Sequence, residues 1–204
     1  MKTVDFAVVL VQATPNPARV VEEMGRICYQ SSHKMTEDSA DAFVRMILAR
    51  GHESVIEHVS ASFRIVMDRG VSHEAVRHRI ASFSQESTRF CNYAKESFGN
   101  CVQVIEPPWL HLGPAHDIWL PQMESAEKAY FALLATGEPP ELARSVLPTC
   151  LKTELAVTAN AREWRHFLRL RSSPKAHPQM RIVAGLLRTE LVRWFPVAFE
   201  DDPK

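Results

Sequence analysis

The sequence predicts an α+β chain, with a small, mainly antiparallel sheet and several helices in a single compact domain spanning residues 1–204. Three observations carry this. Val59–Met67 and Lys152–Thr158 alternate apolar and polar residues, as half-buried strands do. The longer stretches between them carry helical punctuation, with proline or a capping residue at the start and glycine or proline at the end. No internal repeat, low-complexity tract or Ser/Gly linker breaks up the 204 residues, and the 46% that are hydrophobic suffice for one core.

The elements follow in order. The N-terminal stretch Met1–Gln12 reads as an opening strand. Asn16-Pro17 pairs a capping side chain with proline at the first helical position, so a helix is expected to about Tyr29. A second runs from about Ser39 to Gly51, a left-handed cap. In Val59–Met67 the residues Val59, Ala61, Phe63, Ile65 and Met67 share one face, and Ser60, Ser62 and Arg64 the other. Asp68-Arg69-Gly70 turns the chain into a short helix from Val71 to about Ile80, followed by a serine-rich loop. Val102–Ile105 is a further strand, closed by Pro107-Pro108. A long helix is expected between His116 and Thr136, and a short one over Glu141–Val146. Lys152–Thr158 is a strand, Asn160–Leu170 a helix with Arg171 just beyond it, and Pro174 opens a last helix to about Trp194.

Composition excludes several classes. Twenty-four basic residues balance 24 acidic ones, against general nucleic-acid binding, which needs a basic face. The four cysteines, Cys28, Cys91, Cys101 and Cys150, form no CxxC pair, so neither a zinc knuckle nor a dithiol redox site is signalled. They read as reduced, mostly buried thiols. The N-terminal apolar run is too short, and carries Asp5, for an export signal. No stretch approaches the ~20 apolar residues of a membrane span. A soluble, cytoplasmic protein is expected. With seven glycines and neither GxGxxG nor a P-loop, a Rossmann or Walker-type nucleotide site is not expected.

The chemistry concentrates in Arg77-His78-Arg79-Ile80-Ala81-Ser82-Phe83-Ser84-Gln85-Glu86-Ser87-Thr88-Arg89. Arginine forks match phosphate oxygens two at a time and hydroxyls fill the remaining lone pairs, so this mix suits a phosphorylated ligand. A basic helix end explains the first arginines but neither the serines nor Arg89. A second constellation is Gly51-His52-Glu53-Ser54-Val55-Ile56-Glu57-His58. Its histidines stand six apart, not the four of HExxH, so zinc is not expected. A third is Asn160–Arg171, where Arg162, His166 and Arg169 form a cationic stripe opposite Ala161, Trp164, Phe167 and Leu168. Alone, that stripe reads as the solvated side of an amphipathic helix.

In this order and spacing the three constellations resemble the flavin-dependent thymidylate synthases. Arg77, His78, Arg79, Ser82, Ser87 and Arg89 match that family's RHR-x-x-S and S-x-R signature. Gly51–His58 resembles its GHxSxxEH stretch, Ala143–Pro148 its ARxxLP element, and Asn160-Ala161-Arg162 and Leu168–Arg171 its NAR and LxLR elements. The resemblance covers roughly Arg26 to Gln179. It implies the family's α+β fold and homotetramer, with each site built from several subunits. It implies methylation of dUMP to dTMP, with methylenetetrahydrofolate as one-carbon donor and FAD passing a hydride from NADPH. For FAD it implies Cys28, Ser54, Arg77, His78, Arg79, Ile80, Gln85, Asn160, Ala161, Arg162 and His166. For dUMP it implies Glu74, Arg77, Gln85, Glu86, Ser87, Thr88, Arg89, Arg144 and Arg171. Arg171 resembles the arginine set against the pyrimidine, and His52 a histidine needed near folate and flavin.

This chain departs from the pattern in places. Ser84-Gln85 stands where many members have Asn-Glu, and Glu74 where some have glutamine. Arg171 to His177 is longer than in the shortest members, which weakens the carry-over to His177 and Gln179. Two other readings compete. A flavin-free nucleotide phosphohydrolase needs a carboxylate pair for metal beside the motif, and none stands at helical spacing. An RNA-binding module needs a basic face and stacking aromatics, and neither is evident.

Overall fold

The structure, a computed structural model, describes residues 1–110 and 113–200. About 53% is helix and 18% strand, with a small antiparallel sheet, as an α+β chain requires. The chain divides into two units. One comprises Met1–Ala7, Val66–Ala75 and Ser84–Leu155; the other comprises Val8–Ile65, Val76–Phe83 and Ala156–Lys204.

The opening apolar run is two strands, β1 (Lys2–Thr3) and β2 (Ala7–Ala13). Helix α1 (Pro17–Ile27) follows, then α2 (Ser39–Ala49), a 3₁₀ segment Glu53–His58, strand β3 (Ser60–Asp68), helix α3 (Arg69–Ala75) and strand β4 (Ala81–Gln85). Next come β5 (Gln103–Val104), α4 (Pro114–Ala135), α5 (Pro140–Ala143), β6 (Lys152–Asn160), α6 (Ala161–Arg171), α7 (Pro178–Trp194) and α8 (Pro196–Phe199). Four strands form a sheet in the order β2-β3-β6-β4. Separately, β1 and β5 pair in parallel, Lys2 opposite Gln103 and Thr3 opposite Val104.

The alternation in β3 is realised: Ala61, Phe63, Ile65 and Met67 are at most 1% exposed. Trp164 of α6 seals this face, its indole N–H donating to the Ala61 carbonyl at 3.1 Å and its ring meeting Phe63 edge-on. Buried Met180, Val183, Ala184, Leu187 and Leu191 give α7 its apolar stripe. In the first unit, Tyr93, Val102, Val104, Tyr130, Ala143 and Leu151 form the core cluster.

Several boundaries differ from expectation. The helix before the motif stops at Ala75, and the serine-rich stretch is strand β4 rather than loop. Ala81 to Gln85 alternates half-buried and exposed residues, a period of two hidden by the serines. Asp68 closes no turn: its Oδ1 accepts the Val71 N–H at 2.7 Å and starts α3. Asn16 makes no side-chain cap. It is left-handed (φ 47°), and its carbonyl receives the N–H groups of Arg19 and Val20. Arg171 is the last residue of α6, not a loop residue. The helix expected from Pro174 is α7 and begins at Pro178, where the His177 ring accepts the Gln179 N–H at 3.3 Å, and the short α8 follows it. The cysteines are less buried than expected, Cys28 being exposed and the other three half-buried.

Helices α1 and α2 are fastened through Glu22, which is fully buried. Its carboxylate receives Arg26 Nε at 2.8 Å and Nη2 at 2.6 Å, Arg19 Nη1 at 3.3 Å and the Ser39 hydroxyl of α2. Close approach also needs Gly25: a Cβ there lies 2.6 Å from the Phe43 ring. Breaking a buried ion pair strands its partner's charge. Glu22→Ala is therefore expected to lower unfolding free energy by about 3–5 kcal/mol, measured by urea titration against the parent chain.

Candidate active site

A cavity of about 790 Å³ opens in the second unit. Its walls come from two distant stretches. Arg77, His78, Arg79 and Ile80 lie between α3 and β4, and Asn160, Arg162, His166 and Arg171 lie on α6 or at its start. Eight residues implied by resemblance thus meet in one cavity. The ninth neighbour, Ala161, is buried; its N–H donates to the Val59 carbonyl at 2.9 Å. Asn160 has a structural task as well, since its Oδ1 caps α6 by accepting the Glu163 N–H at 2.9 Å.

His78 is buried among the polar groups of this cavity. Its Nδ1 lies 2.8 Å from Glu163 Oε1, and its Nε2 accepts the Arg171 Nε–H at 3.0 Å. The ring packs on Phe167, with centroids 4.6 Å apart, and meets His166 edge-on. Burial pushes its pKa below the usual histidine range. The Glu163 hydrogen bond opposes that shift and the Arg171 charge adds to it. His78, Glu163 and His166 are close enough to share a cation. The Arg171 guanidinium argues otherwise, because a metal on Nδ1, the nitrogen facing Glu163, would leave the ring hydrogen on Nε2 against the Arg171 Nε–H.

Five arginines and three carboxylates line the cavity, an excess of positive charge. The cationic stripe of α6 is not simply solvated. Glu53 faces Arg165 Nε at 3.3 Å, Arg169 Nη1 at 3.2 Å and Arg162 Nε at 3.9 Å, and Glu57 pairs with Arg162. Partial burial raises the Glu53 pKa, but Arg169 and Arg165 outweigh it and hold the carboxyl below its ordinary value.

A second cavity in the same unit, of about 760 Å³, holds Cys28, His52 and Ser54 against Phe43 and Tyr29. Its titratable walls are otherwise basic: Arg26, His33, Lys34 and Arg50. His52 is exposed, its N–H fixed on the Ile47 carbonyl at 2.9 Å.

The remaining expected residues lie in the first unit. A pocket of about 290 Å³ is lined by Thr88 and Arg144 and by Arg69, His73, Ser145 and Thr149. Arg144 Nη1 donates to Thr88 Oγ1 at 3.0 Å. Arg89 is exposed, 3.5 Å from Glu141 and over the Phe90 ring. Ser87 Oγ accepts the Arg89 N–H at 3.3 Å, and the Gln85 amide donates to Ser72 and Thr153. Glu86 takes the Tyr93 hydroxyl at 2.8 Å, the Lys152 ammonium at 3.0 Å and the Glu154 N–H at 3.2 Å. Glu74 is half-buried on α3.

Glu163 and Arg69 carry no site signal in the sequence, and His73 stands out there only as a neighbour of Glu74 and Arg77. Glu163 is adjacent to Arg162 but left no periodic signal. Only its being a carboxylate on the apolar side of α6, beside Trp164, could have marked it.

The sign of the pH dependence follows from His78. Its folded pKa is depressed, so between the ordinary value of ~6.5 and the folded value, the unfolded chain binds a proton that the folded one does not. The contribution is complete above that ordinary value and is lost as pH falls through the window. Thermal unfolding scanned from neutral to mildly acidic pH is expected to show Tm falling in that range. The fall should be smaller in His78→Asn.

Comparison with known proteins agrees with the geometry. The family model described as "Thymidylate synthase complementing protein" matches residues 9–197. A flavin-dependent thymidylate synthase of Geobacter sulfurreducens is 36% identical over 201 residues, covering 95% of this chain and 85% of the relative. One from Clostridium tetani is 31% identical over 223 residues (98% and 87%), and one from a Mycobacterium species 36% over 208 residues (90% and 79%). With nearly the whole chain matched, and with Arg77–Ile80 and the Asn160–Arg171 helix meeting in one cavity, this protein belongs to the thymidylate synthase complementing family, that of the flavin-dependent thymidylate synthases.

Proposed function

We propose that this protein converts dUMP to dTMP by reductive methylation, taking its one-carbon unit from methylenetetrahydrofolate and its hydride from NADPH through FAD. The observation that carries this is the cavity joining Arg77–Ile80 to α6, in a chain matched by the family over residues 9–197. We read residues 1–204 as one catalytic domain. We also propose a cytoplasmic homotetramer; no described helix is long and apolar enough to cross a membrane.

The residues present fit FAD. A diphosphate carries two negative charges, and the cavity holds five arginines against three carboxylates. Arg77, Arg79, Arg162 and His166 would hold the diphosphate, and Ile80, 70% exposed, offers an apolar face to a ring. Cys28 and Ser54, in the neighbouring cavity, would border the flavin, with His52 beside folate and flavin. Bound FAD supplies hydride transfer.

The chain's own residues bind and polarise the nucleotide. Arg144, Arg89, Ser87 and Thr88 combine guanidinium forks with hydroxyls, the donor set a monophosphate needs. Gln85, Glu86, Glu74 and Arg77 complete the proposed dUMP contacts, and Glu86 also braces the segment through Lys152 and Tyr93. Carbon 5 of uracil is a poor nucleophile. Arg171 stabilises negative charge as it develops on the ring, and its charge persists in a dry site. Cys91 and Cys150 are unsuited as nucleophiles: burial raises the Cys91 thiol and pushes Cys150 up to about 11, keeping both protonated.

Purified protein is expected to be yellow and to bleach with NADPH. It should form dTMP only with dUMP and methylenetetrahydrofolate together; a colourless protein releasing phosphate with magnesium would overturn the assignment. Arg171→Ala is expected to lower kcat about 10²–10³-fold while keeping the flavin spectrum. Arg144→Ala is expected to weaken dUMP binding about 10–100-fold, read by calorimetry.

A further inference from the structure

Glu163 is a carboxylate only 6% exposed, in a helix whose neighbouring side chains, Trp164, Phe167 and Leu168, are apolar. Burying a charge there is costly unless it is paired. Its side-chain partner is the ring of His78, at 2.8 Å, and that ring in turn accepts the Arg171 Nε–H at 3.0 Å. Glu163, Phe167 and Arg171 stand four residues apart along α6, so they form one ridge. His78 lies across this ridge: it stacks on Phe167 and touches the polar group on either side.

The donor and acceptor pattern runs one way. An ionised carboxylate only accepts, so His78 Nδ1 must carry the hydrogen facing Glu163. In a neutral ring the hydrogen then cannot be on Nε2, which is left as the acceptor that Arg171 Nε–H requires. Were the tautomer reversed, or the ring protonated on both nitrogens, an N–H would face an N–H at the arginine. Glu163 therefore decides whether His78 Nε2 can accept from the Arg171 Nε–H.

We propose that Glu163 is a positioning residue, which sets the Arg171 guanidinium through the tautomer of His78. The proposal rests on the reading that Arg171 stabilises charge on the pyrimidine. Arg171 closes α6, where a long side chain keeps several rotamers. A hydrogen bond to its Nε restricts the plane of the guanidinium and thus the direction in which it meets developing charge. Loss of Glu163 should act mainly on the chemical step and little on FAD retention or dUMP affinity.

A double-mutant cycle tests this. Glu163→Leu, which removes the acceptor facing Nδ1, Arg171→Ala and the double variant are compared for kcat, KM for dUMP, bound flavin and Tm. Glu163→Leu is expected to lower kcat about tenfold or more, with KM and flavin content near those of the parent, while Glu163→Gln, whose amide oxygen still accepts the Nδ1–H, should recover most of the loss. Added to Arg171→Ala, Glu163→Leu is expected to change residual kcat by less than about twofold, because the arginine it orients is gone. A full multiplicative loss in the double variant would make Glu163 a structural residue and overturn the proposal. So would parental kcat in Glu163→Leu beside an inactive Arg171→Ala. Parental kcat in Arg171→Ala would instead overturn the role of the arginine itself. If Glu163→Leu does not fold, His78→Asn, which removes the ring between the two, is cycled against Arg171→Ala at saturating FAD, with kcat read for the same outcomes.

Discussion

The Glu53 carboxylate is the contact on which the candidate site depends. It draws Arg162, Arg165 and Arg169 of α6 onto the segment Glu53–His58. Three guanidinium groups within two turns of helix repel one another when left alone. A partly buried carboxylate among them reverses the sign, because attraction at short range and reduced dielectric outweighs its own desolvation; the lowered Glu53 pKa has that origin. With α6 docked, Asn160, His166 and Arg171 take their places along one wall. The arginines of the second unit thus divide by task. Arg165 and Arg169, facing Glu53, hold the helix, Arg162 both pairs with Glu53 and Glu57 and lines the cavity, and Arg77 and Arg79 are exposed there.

Net neutrality conceals this division. Equal numbers of acids and bases excluded a broad polyanion surface, but could not reveal where cations are in excess. That depends on which pairs fold together, and pairs such as Glu53 with Arg169 are separated by more than 100 residues. The stripe Arg162, His166, Arg169 looked the same in sequence whether solvated, bound to a backbone or salt-bridged.

Much of the fold was legible where one physical signal acted alone. β3 and β6 were readable from period-two burial, α1 and α2 from their proline and glycine boundaries. Legibility failed where signals competed. Serine at positions 82 and 84 reads as loop, but the sheet pairs the backbone of 81–85 regardless of what points to solvent. Asn16 reads as a cap, yet its left-handed backbone turns the side chain to no such use. At the site, residue types with a motif were found, and residues defined by a partner were not. Glu163 matters because His78 is 2.8 Å away, a fact absent from its local sequence. Arg69 became visible only when α3 carried it and His73 to a pocket with Arg144.

The loop carrying Ser87 and Arg89 presents the complementary design. The loop proposed to offer the Ser87 hydroxyl and the Arg89 guanidinium to a phosphate leaves both unburied, so it needs an anchor elsewhere. Glu86 supplies it, accepting from Tyr93, Lys152 and the Glu154 backbone while its own N–H donates to the Glu154 carbonyl at 2.9 Å. Desolvation lowers the Lys152 pKa, but its bonds to Glu154 and Glu86 prevail and raise it, so the pair stays ionic. A half-buried ionic cluster of this kind adds less stability than apolar packing of equal volume. Its advantage is directional: each oxygen of Glu86 has a fixed donor, so β4 and β6 cannot slip without breaking several bonds together. The strand register at Gln85 and Glu86 then sets where Ser87, Thr88 and Arg89 emerge. The proposed ligand-facing groups of each unit are therefore placed by carboxylates, Glu86 for the loop and Glu53 with Glu163 for the helix.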